Sequence, residues 1–438
     1  MVLEPRIKCR CSSRQKEVYR AQVYHTFEYS GPNYKMIKFV LLLLLGLTYT
    51  PAEGAWTVDP PYYGQYYAGM GGVRGLWVDP SGDLLAEARG HVHVVYEEDN
   101  GDGTIAVRQV EIITAAGLNL NHGVTFHDGH IYASSAVRVF RWPYTPGSRT
   151  VVPDLSEIVV NNIPSGGHDT RSMIFDPQGR LIVTVGSGGN VDQNSNRARI
   201  RRCTLAGQLP IQFEDCEVYI DGLRNEVGLA YDLNGVLHGV GNGADQLNRP
   251  DIGGDIHNGN PAEEFNRFDR PTGQHYGYPY CFSTHNLAGY PKGEQFAWPS
   301  FLNDGIHDDA WCRNVNNNQP PLIAMPAHTA PLGLDFYKGQ NCDGGNGAFP
   351  CSVTGDAFVA LHGSWNSDIP VGYKVAWYPF SNGEPTGEEK DMVYDPDTSF
   401  RAVNAVFNNN GHLLVSADGN GFIIKVTYGM PAKPIRND

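Results

Sequence analysis

From about residue 73 onward, apolar and polar residues alternate in short runs that break at a polar turn ending in glycine and then resume. Alternation with a period of two marks half-buried β-strands. Leu76-Trp77-Val78, then Asp79-Pro80-Ser81-Gly82, then Leu84-Leu85 is the first copy. Such a turn is hairpin chemistry, because proline pre-sets φ and glycine supplies φ > 0. The unit returns around Gly129, Gly179, Gly235 and Gly411, with a more divergent copy at Gly355. Successive steps are 47, 50, 56, 120 and 56 residues. Helical periodicity of useful length is absent. Six β-units of blade length predict an all-β, six-bladed β-propeller with a long insertion after the fourth blade. The insertion falls at roughly 245–330.

Residues 1–54 do not share this pattern. Met36-Ile37-Lys38 followed by the apolar run Phe39 to Leu47 and by Ala52-Glu53-Gly54 reads as a secretory signal, too short to span a bilayer. The residues ahead of Met36 are expected to reflect a misassigned start codon rather than a domain. The propeller is therefore assigned to 55–438 and the protein to the extracellular space. That region keeps 25 basic and 43 acidic side chains, a net charge of −18. So acidic a chain is ill suited to nucleic acid or an anionic membrane. Six cysteines remain, and neighbours along the chain are expected to pair: Cys203 with Cys216, Cys281 with Cys312, Cys342 with Cys351.

Counting from each turn glycine shows which polar residues share one face of the disc. Arg74, His122 and Arg171 precede the glycines by about eight residues, and His168, Arg224-Asn225 and Arg401 by ten or eleven. Gly186, Gly243-Ala244-Asp245, His362 and Asp418 follow by seven to ten. All fall on one rim of the central channel. An arginine-rich funnel in an acidic protein suits a small polyanion, with or without a metal. His168, beside the permissive pair Gly166-Gly167, is the candidate reactive imidazole. Arg171 could tie blades together or bind, while His122 and Asp418 read as structural. Glu263 and Glu264 could be solvated charges, an ion site or an acid/base pair, but neighbours on a strand point to opposite faces.

At these residues the chain resembles the soluble pyrroloquinoline-quinone-dependent sugar dehydrogenases, and among them the secreted fungal pyranose dehydrogenases of auxiliary-activity family 12. L-Sorbosone dehydrogenases and soluble quinoprotein glucose dehydrogenases are related. The similarity is carried by Gly166-Gly167-His168-Asp169-Thr170-Arg171, Gly222-Leu223-Arg224-Asn225-Glu226-Val227-Gly228, Gly241-Asn242-Gly243-Ala244-Asp245, His275-Tyr276-Gly277-Tyr278-Pro279-Tyr280-Cys281 and Leu361-His362-Gly363-Ser364-Trp365-Asn366. The resemblance implies pyrroloquinoline quinone (PQQ) and Ca2+ as cofactors. His168 would be the base on the anomeric hydroxyl, Arg224 and Asn225 the donors to the quinone oxygen, and the Gly243 and Ala244 carbonyls the calcium ligands. Arg74 and Arg401 would bind cofactor carboxylates, His362 would stand where bacterial glucose enzymes have a lysine, and Trp365 would stack on the quinone or the sugar.

The resemblance also implies a monosaccharide substrate such as L-fucose or 2-keto-D-glucose (D-glucosone). The acceptor would be external, a lytic polysaccharide monooxygenase or a cytochrome. No segment resembles the b-type cytochrome domain or the cellulose-binding module that accompany some members. Two other readings use the same scaffold: a calcium-dependent lactonase, disfavoured by a rim rich in arginine rather than carboxylate, and a non-catalytic binding propeller whose arginines serve blade packing.

Overall fold

The computed structural model describes residues 56–114 and 117–436. The signal sequence inferred at 36–54 lies outside them. Six antiparallel sheets follow one another along the chain, each starting with an innermost strand: Val73–Val78, Leu120–His127, Met173–Phe175, Glu226–Tyr231, Pro331–Phe336 and Ala402–Phe407. Each innermost strand packs on those of the two neighbouring blades, so the six close a ring. The ring is fastened by the N-terminal strand Tyr62–Gly69, which pairs with the last strand Phe422–Tyr428 and completes the sixth blade. The fold is the expected six-bladed propeller.

The repeating turn is stabilised in a way its sequence foreshadows. The side-chain oxygen of Asp79 accepts the backbone N–H of Ser81 (2.8 Å) and Asp83 (3.0 Å). Asp176, Asp232 and Asn408 do the same for residues two and four positions on. The six turn glycines have φ between 72° and 94°, the left-handed region open to glycine.

The long insertion belongs to the fourth blade and leaves from within it. Residues 242–262 separate its second strand, Leu237–Gly241, from its third, Glu263–Arg267, and 268–322 separate the third from the fourth, Ile323–Met325. The insertion also adds Gln274–His275 in parallel to the outer edge of the third blade. A second long loop, 337–356, opens the hairpin of the fifth blade and shares in the 120-residue step. Disulfides join Cys203–Cys216, Cys281–Cys312 and Cys342–Cys351, the neighbour pairing expected.

Two devices shape the inner ring. In five of the six innermost strands the register slips near the start, between Val73 and Leu76, Leu120 and Val124, Glu226 and Gly228, Pro331 and Gly333, and Ala402 and Asn404. Such bulges re-aim side chains, here at the mouth opposite the turns. Glycines also let neighbouring backbones nearly touch. A Cβ on Gly75 would lie 1.9 Å from the His122 carbonyl oxygen, and one on Gly123 2.2 Å from that of Arg171. Hydroxyls lock the contact, as Ser134 Oγ donates to the Arg171 carbonyl (2.9 Å) and Ser416 Oγ to that of Arg74 (2.7 Å). Gly123→Ala is therefore expected to destabilise the protein by about 1–3 kcal/mol through overpacking. A denaturant midpoint equal to wild type would show that the inner strands can spread.

Candidate active site

The starts of the innermost strands and the ends of the second strands bring the predicted residues to one mouth, in two linked clusters. The first is built on blades three and four. His168 lies on the loop before Met173–Phe175, and its Nδ1 donates to the carbonyl of Ser187 and meets Ser187 Oγ, both at 3.0 Å. Ser187 Oγ in turn donates to the Gly189 carbonyl (2.7 Å). A carbonyl can only accept, so the proton sits on Nδ1 and Nε2, which makes no hydrogen bond among the described residues, carries the lone pair. Burial, then the charge of Arg224, lowers the pKa of His168 below its ordinary value.

Arg224 Nη1 donates to the Gly243 carbonyl (2.7 Å), while Nη2 bonds Asp245 (2.8 Å) and Asn190 Oδ1 (3.2 Å). Its Nε is buried without a partner. Asn225 Nδ2 donates to Asn242 Oδ1 (2.9 Å). His168 and Asn225 close on Gly186 from two sides, since a Cβ there would meet Asn225 Oδ1 and His168 Cβ at 2.5 Å each. Ser187 ties imidazole and guanidinium together: it is fully buried, its carbonyl also accepts the His168 backbone N–H (3.0 Å), and its own N–H donates to the Arg224 carbonyl (2.7 Å).

The second cluster spans blades five, six and one. Arg74 pairs with Asp418, whose other oxygen meets His362 Nε2 at 2.9 Å, and Arg401 Nη1 approaches His362 Nδ1 at 3.3 Å. Burial opposes the Asp418 carboxylate, yet the hydrogen bond from His362 and the charges of His362 and Arg74 hold its pKa below the usual range. Arg401 also lies over the Tyr373 ring, 5.1 Å from its centroid. Asn366, four residues past His362, reaches Asp245 of the first cluster at 3.5 Å.

Some residues take other parts. His122 is buried, and desolvation followed by the Arg74 charge drives its pKa down to about 3, so it is a neutral wall of the channel. Arg171 is fully buried and donates to four carbonyls, those of Ala136, Pro164, His168 and Thr170, at 2.6–3.0 Å. It shapes the loop that presents His168 and does not reach the mouth. Trp365 stacks on no ring among the described residues, and 73% of it is exposed. Glu263 and Glu264 do face opposite ways. Glu263 accepts the Gly243 N–H (2.6 Å) and the Ala330 N–H (3.3 Å), and burial pushes its pKa up to about 8 against them. Glu264 accepts from Ser283 Oγ (2.8 Å). Sequence reading missed Ser187, Asn190 and the grip of Glu263 on Gly243. Only the position of Ser187 just after Gly186 hinted at a role.

These motifs and this fold place the chain in a family. It belongs to the TrAA12-like family, whose model matches residues 58–429. The expected resemblance therefore holds. The chain is 30% identical over 414 residues to a pyrroloquinoline quinone-dependent pyranose dehydrogenase of Coprinopsis cinerea, covering 83% of this chain and 54% of that one. It thus spans about half the length of that relative. It is 31% identical over 388 residues to a pyrroloquinoline quinone-dependent sugar dehydrogenase of Hypocrea jecorina (strain QM6a), covering 81% and 85%. The calcium structure of a Trichoderma reesei carbohydrate-active enzyme of family AA12 superposes with a TM-score of 0.76 at 27% identity, covering 87% of this chain and 98% of that one.

Arg171→Lys keeps the charge but loses the planar fork that serves several carbonyls at once. It is expected to cost roughly 2 kcal/mol by leaving buried acceptors unpaired, read as a denaturant midpoint. Unchanged stability would mean that Arg171 does not hold the His168 loop.

Proposed function

We propose that this protein is a secreted PQQ-dependent pyranose dehydrogenase, oxidising the anomeric hydroxyl of a sugar to the lactone and handing the electrons to an external acceptor. The observation that carries this reading is His168: a half-buried imidazole with Nδ1 committed to a carbonyl and Nε2 free, facing Asn225 across a glycine beside a buried guanidinium. The names of the curated relatives support the cofactor and the substrate class.

The residues fit the quinone. Arg74, Arg401 and Arg224 supply cationic donors for a polycarboxylate, and the Nε atoms of Arg74 and Arg224 are buried donors without partners. Arg74, His362 and Arg401 would hold the cofactor carboxylates. Carbonyl oxygens at Gly243 and Ala244 suit calcium, a hard cation with oxygen ligands, and the calcium structure of the related enzyme supports that ion. When bound, the quinone with its calcium would supply the acceptor for the two electrons that leave sugar C1 together with its hydrogen, as hydride. His168 Nε2 takes the hydroxyl proton, so the C1–O bond becomes the lactone carbonyl and the balance closes. Arg224 and Asn225 would supply donors to the oxygen where negative charge collects by turning from their present acceptors, the Gly243 carbonyl and Asn242 Oδ1. Trp365, 73% exposed, is too exposed to be enclosed with the quinone or with the reacting ring. L-Fucose and D-glucosone are the expected substrates, and a lytic polysaccharide monooxygenase or a cytochrome the expected acceptor. Three disulfides suit an oxidising, extracellular setting. No helix among the described residues is long and apolar enough to cross a membrane.

A lactonase with a carboxylate-held central calcium is less well supported, because the carboxylates of the rim, Asp245 and Asp418, are each paired with an arginine.

Adding PQQ and Ca2+ to the purified protein should give sugar-dependent dye reduction across a panel of pyranoses, and a complete lack of reduction would sink the proposal. His168→Ala should retain quinone but lose about 10²–10⁴ in turnover, whereas Arg224→Ala should weaken quinone retention and rate together. The imidazole is a base only above its pKa, which lies below the ordinary 6.5. Activity should therefore persist as pH falls past 6.5 and decline only at lower pH; an acid limb of kcat/KM at or above 6.5 would contradict the assignment.

A further inference from the structure

The loop Ser364–Val371 displays two of the most exposed large apolar side chains of the described residues, Trp365 at 73% and Ile369 at 74%. It is not a slack loop. At its base Ser364 and Val371 bond reciprocally, Ser364 N–H to the Val371 carbonyl (2.9 Å) and Val371 N–H to Ser364 Oγ (3.1 Å). Tyr373 OH donates to the Ser364 carbonyl (3.0 Å). At its tip Asp368 N–H donates to Asn258 Oδ1 (2.8 Å) and Asn258 Nδ2 to Asp368 Oδ2 (2.7 Å), buttoning the loop to the insertion of the fourth blade. Trp365 is flanked along the chain by residues of the active site. His362 on one side belongs to the Arg74–Asp418–Arg401 cluster, and Asn366 on the other reaches Asp245 beside Arg224. Trp365 thus lies three residues from a member of one cluster and one residue from a side chain that reaches the other, and is largely exposed to solvent.

We propose that Trp365 and Ile369 form a platform for a second sugar ring, so that the substrates include reducing-end oligosaccharides whose terminal ring reacts in the mouth. This rests on the dehydrogenase reading above. An uncovered indole on a backbone fixed at both ends of its loop offers its face to the apolar C–H face of a neutral ring. Its chain neighbours Asn366, Ser367 and Asp368, and Asn258 bonded to Asp368, are donors and acceptors with capacity for sugar hydroxyls beyond their bonds to Asp245, to the Ile369 carbonyl and to one another. Two side chains are about the footprint of one ring and far less than the roughly 800 Å² per partner that a stable protein interface buries. The strongly acidic chain favours an uncharged ligand over an anionic one.

The test compares a monosaccharide that the wild-type holoenzyme oxidises with the reducing disaccharides built on it. Trp365→Ala should lower kcat/KM for the disaccharides by roughly ten-fold, mainly through KM, and for the monosaccharide by less than about two-fold, the scale of one aromatic stacking contact. Trp365→Phe should recover most of the loss. Equal losses for both sugars accompanied by weaker quinone retention would place the indole on the cofactor and overturn the proposal. A loss seen only with a protein acceptor, and not with a small dye, would make the loop a docking point and equally overturn it; so would no loss at all. Titrating cellobiose and longer cello-oligosaccharides into the quinone-loaded His168→Ala protein reads the platform without turnover. Binding weakened roughly ten-fold in His168→Ala/Trp365→Ala would uphold the platform even if no sugar were oxidised; binding unchanged by the second substitution would exclude it.

Discussion

The close approach of neighbouring inner strands is the constraint on which everything else depends. Gly75, Gly123, Gly228 and Gly333 each bring a backbone to within 1.9–2.8 Å of where their own Cβ would sit. That spacing closes the ring, and the bulges beside it turn Arg74, Arg224 and Arg401 toward one mouth. No arginine side chain would converge there if the strands were held apart by side chains of ordinary size.

Packing and chemistry share residues at this ring. Arg74 and Arg171 occupy corresponding places, with each carbonyl accepting a serine hydroxyl from the preceding blade. Their side chains part ways because Arg171, besides the Asp169 carboxylate at 3.3 Å, is saturated by four carbonyls in a loop of its own and is fully buried, whereas Arg74 finds a carboxylate at the mouth. A guanidinium used up by backbone acceptors is a strut, and one held by a single carboxylate can be shared with an anion. The same logic separates Glu263, which grips two backbone N–H groups, from Asp245, which faces Arg224.

The mouth is electrostatically composed rather than simply basic. Each of its two carboxylates neutralises part of an arginine, which limits self-repulsion among the cations before a polyanion arrives. Burial and the charge of Arg224 disfavour the protonated form of His168 in this setting. Ser187 holds imidazole and guanidinium in one frame through backbone atoms, so their geometry does not depend on a flexible side chain.

Much of this was legible in the residue pattern. Six alternating hairpins with a glycine in each turn determined the blade count, because strand period and turn chemistry are local properties. The face on which His168, Arg224, Asn225, Gly243, His362 and Arg401 meet followed from counting along strands of known rise. The neighbour pairing of cysteines followed from short loops. The path of the insertion did not, since hairpin spacing reports where inner strands recur and not which outer strands a long segment separates. Nor did the difference between Arg74 and Arg171, the role of Ser187 or the exposure of Trp365. Each of those is decided by which atoms from distant parts of the chain arrive within hydrogen-bonding distance, and only the closed ring brings them there.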